Sequence, residues 1–176
     1  MFYEYISTIF GIIKILFFKI VYFDRIKFKG IPKVNNSIKL AIKRKSHLIF
    51  GKNFRSRNNI SFRIYNKGIV KIGDNCFFND GCSINCQEKI EIGNNVILGQ
   101  NVLIFDHDHD YKKNIKNFVR KSVTIGNNVW IGANTVILKG VTIGDNVVIG
   151  AGTIVREDII SNKIAFDKKI TEERDF

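Results

Sequence analysis

The sequence predicts an all-β solenoid, a parallel β-helix built from hexapeptide repeats, and three observations carry that prediction. Apolar-Gly pairs recur on a six-residue grid at Phe50-Gly51, Ile72-Gly73, Ile92-Gly93, Leu98-Gly99, Ile125-Gly126, Ile131-Gly132, Ile143-Gly144 and Ile149-Gly150. The fourth position of the hexads is Asn53, Asn59, Asn75, Gly81, Asn95, Asn101, Asn128, Asn134, Gly140, Asn146 or Gly152. Asn and Gly reach positive φ most cheaply, so a left-handed corner falls once in every hexad. Finally, Ile143 stands three whole hexads after Ile125. That length is three short strands and three corners, one triangular coil that stacks on its neighbours.

Taken in chain order, the first element is the apolar run Tyr5–Phe23, interrupted by Lys14 and Lys19. It is borderline in length and impure for a spanning helix, which takes about 20 predominantly apolar residues. It has neither a basic leader nor a small-residue cleavage site, which argues against a signal peptide. Glu4, Ser7, Gly11 and Lys14 share one helical stripe, with a broad apolar face opposite. Then come Arg25, Lys27, Lys29 and Lys33, followed by Lys39, Lys43, Arg44 and Lys45. Two readings stay open: an anchor lying on an anionic membrane surface, or a helix packed on the domain or across a subunit interface. The charge is lopsided to match. Residues 1–71 carry 16 Lys or Arg against Glu4 and Asp24, whereas residues 72–176 carry 12 against 14. Residues 1–45 are therefore set apart as an apolar helix and basic segment, residues 46–160 as the β-helix, and residues 161–176 as a tail.

Within the β-helix the opening residue and the fifth residue of each hexad point inward, the latter being Phe54, Cys76, Cys82, Val96, Val102, Val129, Thr135, Val141, Val147 and Thr153. Coil lengths drift: the steps from Phe50 to Ile72 and from Ile72 to Ile92 each overrun three hexads slightly. The step from Ile92 to Ile125 overruns them by most of a further coil, so a loop at about 110–124 leaves the prism. Solenoids carry function in such insertions. The composition fits a single packed domain, with 45% hydrophobic and 25% charged residues. Three cysteines exclude a disulfide scaffold and favour a reducing compartment. Cys76 and Cys82 fall on inward positions, and Cys86, beside a corner insertion, is expected to be exposed.

The stretch Ile125–Val155, IGNNVWIGANTVILKGVTIGDNVVIGAGTIV, closely resembles the C-terminal coils of hexapeptide-repeat acyltransferases, especially the galactoside, maltose and capsular-polysaccharide O-acetyltransferases. The resemblance covers about residues 50–160. It implies a left-handed β-helix, a homotrimer, and acetyl-CoA as donor in the cleft between neighbouring prisms. The family's histidine base lies just short of a full coil after the Ile-Gly that opens it. Counted from Ile92 that is His109; His107, just before it, is the alternative. The same ungapped count puts the acceptor-side asparagine on Asn79. Trp130 occupies the VWIG motif that borders the donor cleft in relatives, although an aromatic packing between coils reads the same way. Ala133 and Ala151 are the small residues past which pantetheine would run, and Lys139 and Arg156 are candidates for the coenzyme's phosphates. The chain departs from its relatives after the last coil. Arg156-Glu157-Asp158-Ile159-Ile160 stands where they carry Thr-Lys-Asp-Ile-Pro, and their Gly-x-Pro-Ala-Lys is missing.

The expected activity is acetyl transfer from acetyl-CoA to a hydroxyl of a sugar or surface glycan, in bacterial polysaccharide biosynthesis; the expected location is the cytoplasm, peripheral on the inner membrane face under the anchor reading. A thioester is already activated, so alignment and a histidine base suffice, without a covalent enzyme intermediate. One of Asp106, Asp108 or Asp110, or a backbone carbonyl, would hold the imidazole, and the amide of Ala133 or Asn134 would meet the oxyanion. An amino-sugar N-acetyltransferase needs the same base and is the alternative within the class. A non-catalytic β-helix that binds an anionic surface is the alternative outside it. No nucleic-acid site is expected, since Arg55, Arg57 and Arg63 lie within coils without an aromatic stacking platform. No metal site is expected either, because His107 and His109 are joined by no third histidine nearer than His47.

Overall fold

A computed structural model describes residues 2–168. Three six-stranded parallel sheets wrap into a prism of about six turns, the architecture of a left-handed β-helix. The first sheet runs through Ile26–Phe28, His47–Phe50, Ile69–Ile72, Lys89–Ile92, Val123–Ile125 and Thr142–Ile143. The second contains Arg55–Ser56, Phe77–Phe78, Ile97–Leu98, Trp130–Ile131, Val148–Ile149 and Ile164–Ala165. The third contains Lys39–Ile42, Ser61–Ile64, Ser83–Cys86, Leu103–Phe105, Val136–Ile137 and Ile154–Val155.

The register is the one the hexads predict. Phe50, Ile72, Ile92, Ile125 and Ile143 are successive Cα partners along the first sheet, so coils of unequal length superpose without slippage. Every one of the eleven fourth-position residues has positive φ, between 55° and 82°. Asparagine adds a second contribution at these corners. Asn53, Asn75, Asn95, Asn128, Asn146 and Asn162 form a ladder in which each side-chain amide donates to the carbonyl oxygen of the next, over 2.9–3.2 Å.

The inward fifth positions are all buried. Where they are polar, each hydroxyl or thiol donates to a glycine carbonyl: Cys76 to Gly93, Cys82 to Gly99, and both Thr135 and Thr153 to Gly150. Burial pushes the thiols of Cys76 and Cys82 up to about 11, so they are protonated packing groups. Cys86 corrects the expectation of an exposed thiol: it is fully buried. The wider coils near the N-terminal end are filled by Phe50, Phe54, Phe62 and Phe78, whose ring centroids lie 4.7–6.4 Å apart.

The prism begins earlier than the hexads indicated. Ile26–Phe28 and Lys39–Ile42 are strands of the first and third sheets, and Lys33 bridges to Arg55 in the second. Residues 26–45 thus form a first coil without Ile-Gly pairs, its last corner made by Lys45 at φ 67°. The tail contributes Ile164–Ala165 to the second sheet, and residues 169–176 lie outside the described residues. The helix Phe2–Tyr22 closes the N-terminal end of the prism. Ile15 enters the core, and a Cβ on Gly11 would fall 1.9 Å from the Val34 carbonyl oxygen, so only glycine permits this approach.

The corner geometry yields a graded prediction. Asn128→Ala should cost about 1–2 kcal/mol from forcing a side chain into the left-handed region, plus its two ladder bonds. Asn128→Gly should lose the bonds alone, and should therefore melt between wild type and Asn128→Ala in thermal denaturation.

Candidate active site

The chain leaves the prism immediately after Asp106, which anchors the point of exit. Phe62 and Ile64, then Ile84 and Cys86, then Ile104 and Asp106 are the inward residues of three stacked strands of the third sheet. A carboxylate thus occupies a core position, fully buried. It accepts hydrogen bonds from the amides of Gln87 and Glu88, from the Cys86 thiol and from Nδ1 of His107 at 2.8 Å. Burial by itself drives this carboxyl upward. The bonds from His107, the two amides and the thiol outweigh it and hold Asp106 below the ordinary carboxylate range. The sequence offered Asp106 only as one of three acids in DHDHD. Its place one coil beyond Cys86 was the signal that it points inward.

From this anchored root a hairpin projects, His107–Asp110 paired antiparallel with Asn114–Arg120. His107 and His109 lie on one face of it, opposite Arg120 and Phe118. The Phe118 ring contacts both imidazoles, with centroids 5.4 Å from His107 and 4.4 Å from His109. His109 Nδ1 lies 2.6 Å from the Ile115 carbonyl oxygen. A carbonyl only accepts, so Nδ1 carries the hydrogen, and in the neutral imidazole the lone pair is on Nε2, on an exposed ring. His107 is held instead by Asp106 and is largely enclosed; with Arg63, Tyr65, Asn85, Gln87, Phe118 and Arg120 it lines a depression of about 460 Å³.

The remaining residues named from the sequence fall in two other places. Asn79, Trp130, Ala133 and Ala151 line one groove of about 430 Å³ along the second sheet. Trp130 is half-exposed, and the small side chains of Ala133 and Ala151 leave the adjoining backbone open. Lys139 is not in this groove. It lies beside His109 and forms an ion pair with Asp108, tying the hairpin to the following coil. Arg156 lines a separate cleft with Glu157, Asp158 and Asp167. The Asn134 amide, offered as an oxyanion donor, already donates to the Gln100 carbonyl at 2.8 Å. Within one chain, therefore, His109 and the Asn79–Trp130 groove line different depressions.

Residues 122–157 match the family model described as bacterial transferase hexapeptide (six repeats), and residues 69–105 match the hexapeptide repeat of succinyl-transferase. Galactoside O-acetyltransferase of Escherichia coli (strain K12) is 44% identical over 100 residues, 54% of this chain and 49% of that protein. A maltose O-acetyltransferase from Clostridium difficile 630 has 34% sequence identity, with a TM-score of 0.56 over 82% of this chain and 71% of that one. A hexapeptide-repeat acetyltransferase of Vibrio cholerae, solved with acetyl coenzyme A, is 27% identical with a TM-score of 0.52, covering 56% and 55% of the two chains. The chain spans about half the length of the curated relatives it matches.

Asp106→Asn should destabilise the fold by about 2–3 kcal/mol near neutral pH, since an amide cannot accept all these bonds. Because the folded carboxyl lies below its unfolded value of about 3.9, its contribution is present above that pH and is lost as pH falls through the folded value. Urea melts of the two proteins should accordingly converge below about pH 4.

Proposed function

Since the chain belongs to the hexapeptide-repeat transferases, we propose that it moves an acetyl group from acetyl-CoA to a hydroxyl of a sugar or surface glycan. The observation that carries this reading is the fixed tautomer of His109, with Nδ1 bound to a backbone carbonyl and Nε2 open at the hairpin. The acceptor hydroxyl loses its proton to Nε2 as its oxygen attacks the thioester carbonyl. The Ala133 amide steadies the oxyanion, and the carbon–sulfur bond then breaks. The proton passes from His109 to the departing sulfur, which restores the neutral imidazole. No acyl-enzyme forms, so donor and acceptor bind together.

The groove along the second sheet suits the donor. Trp130 provides one wall, and Ala133 and Ala151 leave room for a slender pantetheine chain to run beside the backbone. Arg156 stands near one end of the prism for a phosphate. His109 and this groove belong to different depressions of one chain, which supports a homotrimer whose sites lie between neighbouring prisms. A cyclic assembly repeats such a pairing three times.

Release of free thiol from acetyl-CoA should be stimulated by a sugar hydroxyl. His109→Ala should lower turnover by about 10²-fold or more with an unchanged melting temperature. An active His109→Ala beside a dead His107→Ala would move the base to His107, and stimulation confined to amino sugars would make the reaction N-acetylation. Composite sites have their own test: inactive His109→Ala and inactive Trp130→Ala chains should regain partial activity when co-assembled. No recovery in verified mixed trimers would place the site within one chain.

A further inference from the structure

The N-terminal helix is built inside out. In a helix packed on a soluble domain the apolar stripe faces the core and the polar stripe faces water. Here the side turned to the prism carries Ser7, Gly11, Lys14 and Lys19 alongside Ile15, Phe18 and Tyr22. The Ser7 carbonyl accepts from the Asn36 amide, the Lys14 ammonium donates to the Asn36 carbonyl, and Lys19 donates to the Ile26 carbonyl. Tyr22 donates its hydroxyl proton to the Leu40 carbonyl. The opposite side presents Ile9, Phe10, Ile13, Leu16, Phe17, Ile20 and Val21 to the surroundings, with Phe17 60% and Ile20 75% exposed. So large an uninterrupted apolar surface marks an interaction site.

We infer that this face docks the protein on an anionic lipid surface, with the helix lying in the interface and the prism standing on its N-terminal end. Charge selects this occupant. The first coil, on which the helix sits, exposes Lys27, Lys29, Lys33, Lys39, Lys43, Arg44 and Lys45. Asp24 is the one acidic residue in residues 5–71. A second copy of the same surface would bring these cations against their equals, whereas anionic headgroups neutralise them. The helix is long and apolar enough to cross a bilayer, yet contacts from Ser7 to Tyr22 pin it along the prism end. Crossing would break all of them and bury Lys14 and Lys19 in hydrocarbon. An interfacial position keeps every one.

Co-sedimentation of the full chain with vesicles of phosphatidylcholine alone, and with phosphatidylglycerol added, tests this. Wild type should bind the anionic vesicles, bind the neutral ones at least about tenfold more weakly, and detach in high salt. Ile13→Glu/Ile20→Glu alters two outward side chains. It should reduce binding by at least about tenfold with an unchanged melting temperature and unchanged acetyl transfer to a soluble sugar. Lys43→Gln/Arg44→Gln should bind more weakly in low salt only. Failure of wild type to bind, or salt-insensitive binding equal on both lipids, overturns the inference. So does a double glutamate variant that binds normally but changes the oligomeric mass, which would assign the face to a second copy. Should that variant unfold, the lipid and salt dependence of wild type decides alone.

Discussion

The fold depends on one recurrent local conformation, a residue at positive φ that returns along the corners of the prism. An ordinary L-residue is strained there, and the strain would recur in every coil. Asparagine lowers that strain and also lends its side-chain amide to the corner above, so the conformation of one coil is tied to that of the next. Flat, short strands follow automatically between corners. So does the alternation that sends the opening and fifth residues inward.

Upon this regular stack the unusual elements are fastened by polar groups that reach into it. Asp106 replaces an apolar core residue and is satisfied by two amides, a thiol and an imidazole. The hairpin therefore rises from a rigid root, and its far side is held by Lys139 through Asp108. At the other end of the prism the helix is fixed by backbone carbonyls receiving Lys14, Lys19 and Tyr22. In both cases the apolar stack supplies a platform and hydrogen bonds set the orientation.

Legibility in the sequence followed this division. Asn95, Val96 and Ile125 could be placed because each obeys a rule that repeats with every hexad, and the pairing of Ile92 with Ile125 survived a long excursion. The first coil was obscure because Lys45 takes a corner normally held by Asn or Gly, and no Ile-Gly pair marks its strands. Cys86 and Asp106 were misplaced or underrated for a shared reason. Their burial depends on amides and side chains one coil away, which a single hexad does not contain. The direction of the helix was likewise invisible, since a stripe of Ser7, Gly11 and Lys14 reads as a wet face until carbonyls of the first coil are seen to receive it. Counting names His109 as the candidate base, but the carbonyl that meets its Nδ1 lies across the hairpin turn, outside any hexad rule.

The prism registers coils and is indifferent to residues. The long step from Ile92 to Ile125 and the short one from Ile125 to Ile143 leave the first sheet in the same pairing. The pairing of Ile92 with Ile125 is thus indifferent to the length of the excursion, although Arg120 and Ser122 return to bond Gln87 and Glu88 of the coil before it. The excursion is a slot whose length can change without shifting the strand register of the first sheet. Corners and inward residues each answer to two neighbours, whereas the hairpin answers to its root at Asp106, its tether at Lys139 and the contacts with Ile115 and Phe118 that hold His109.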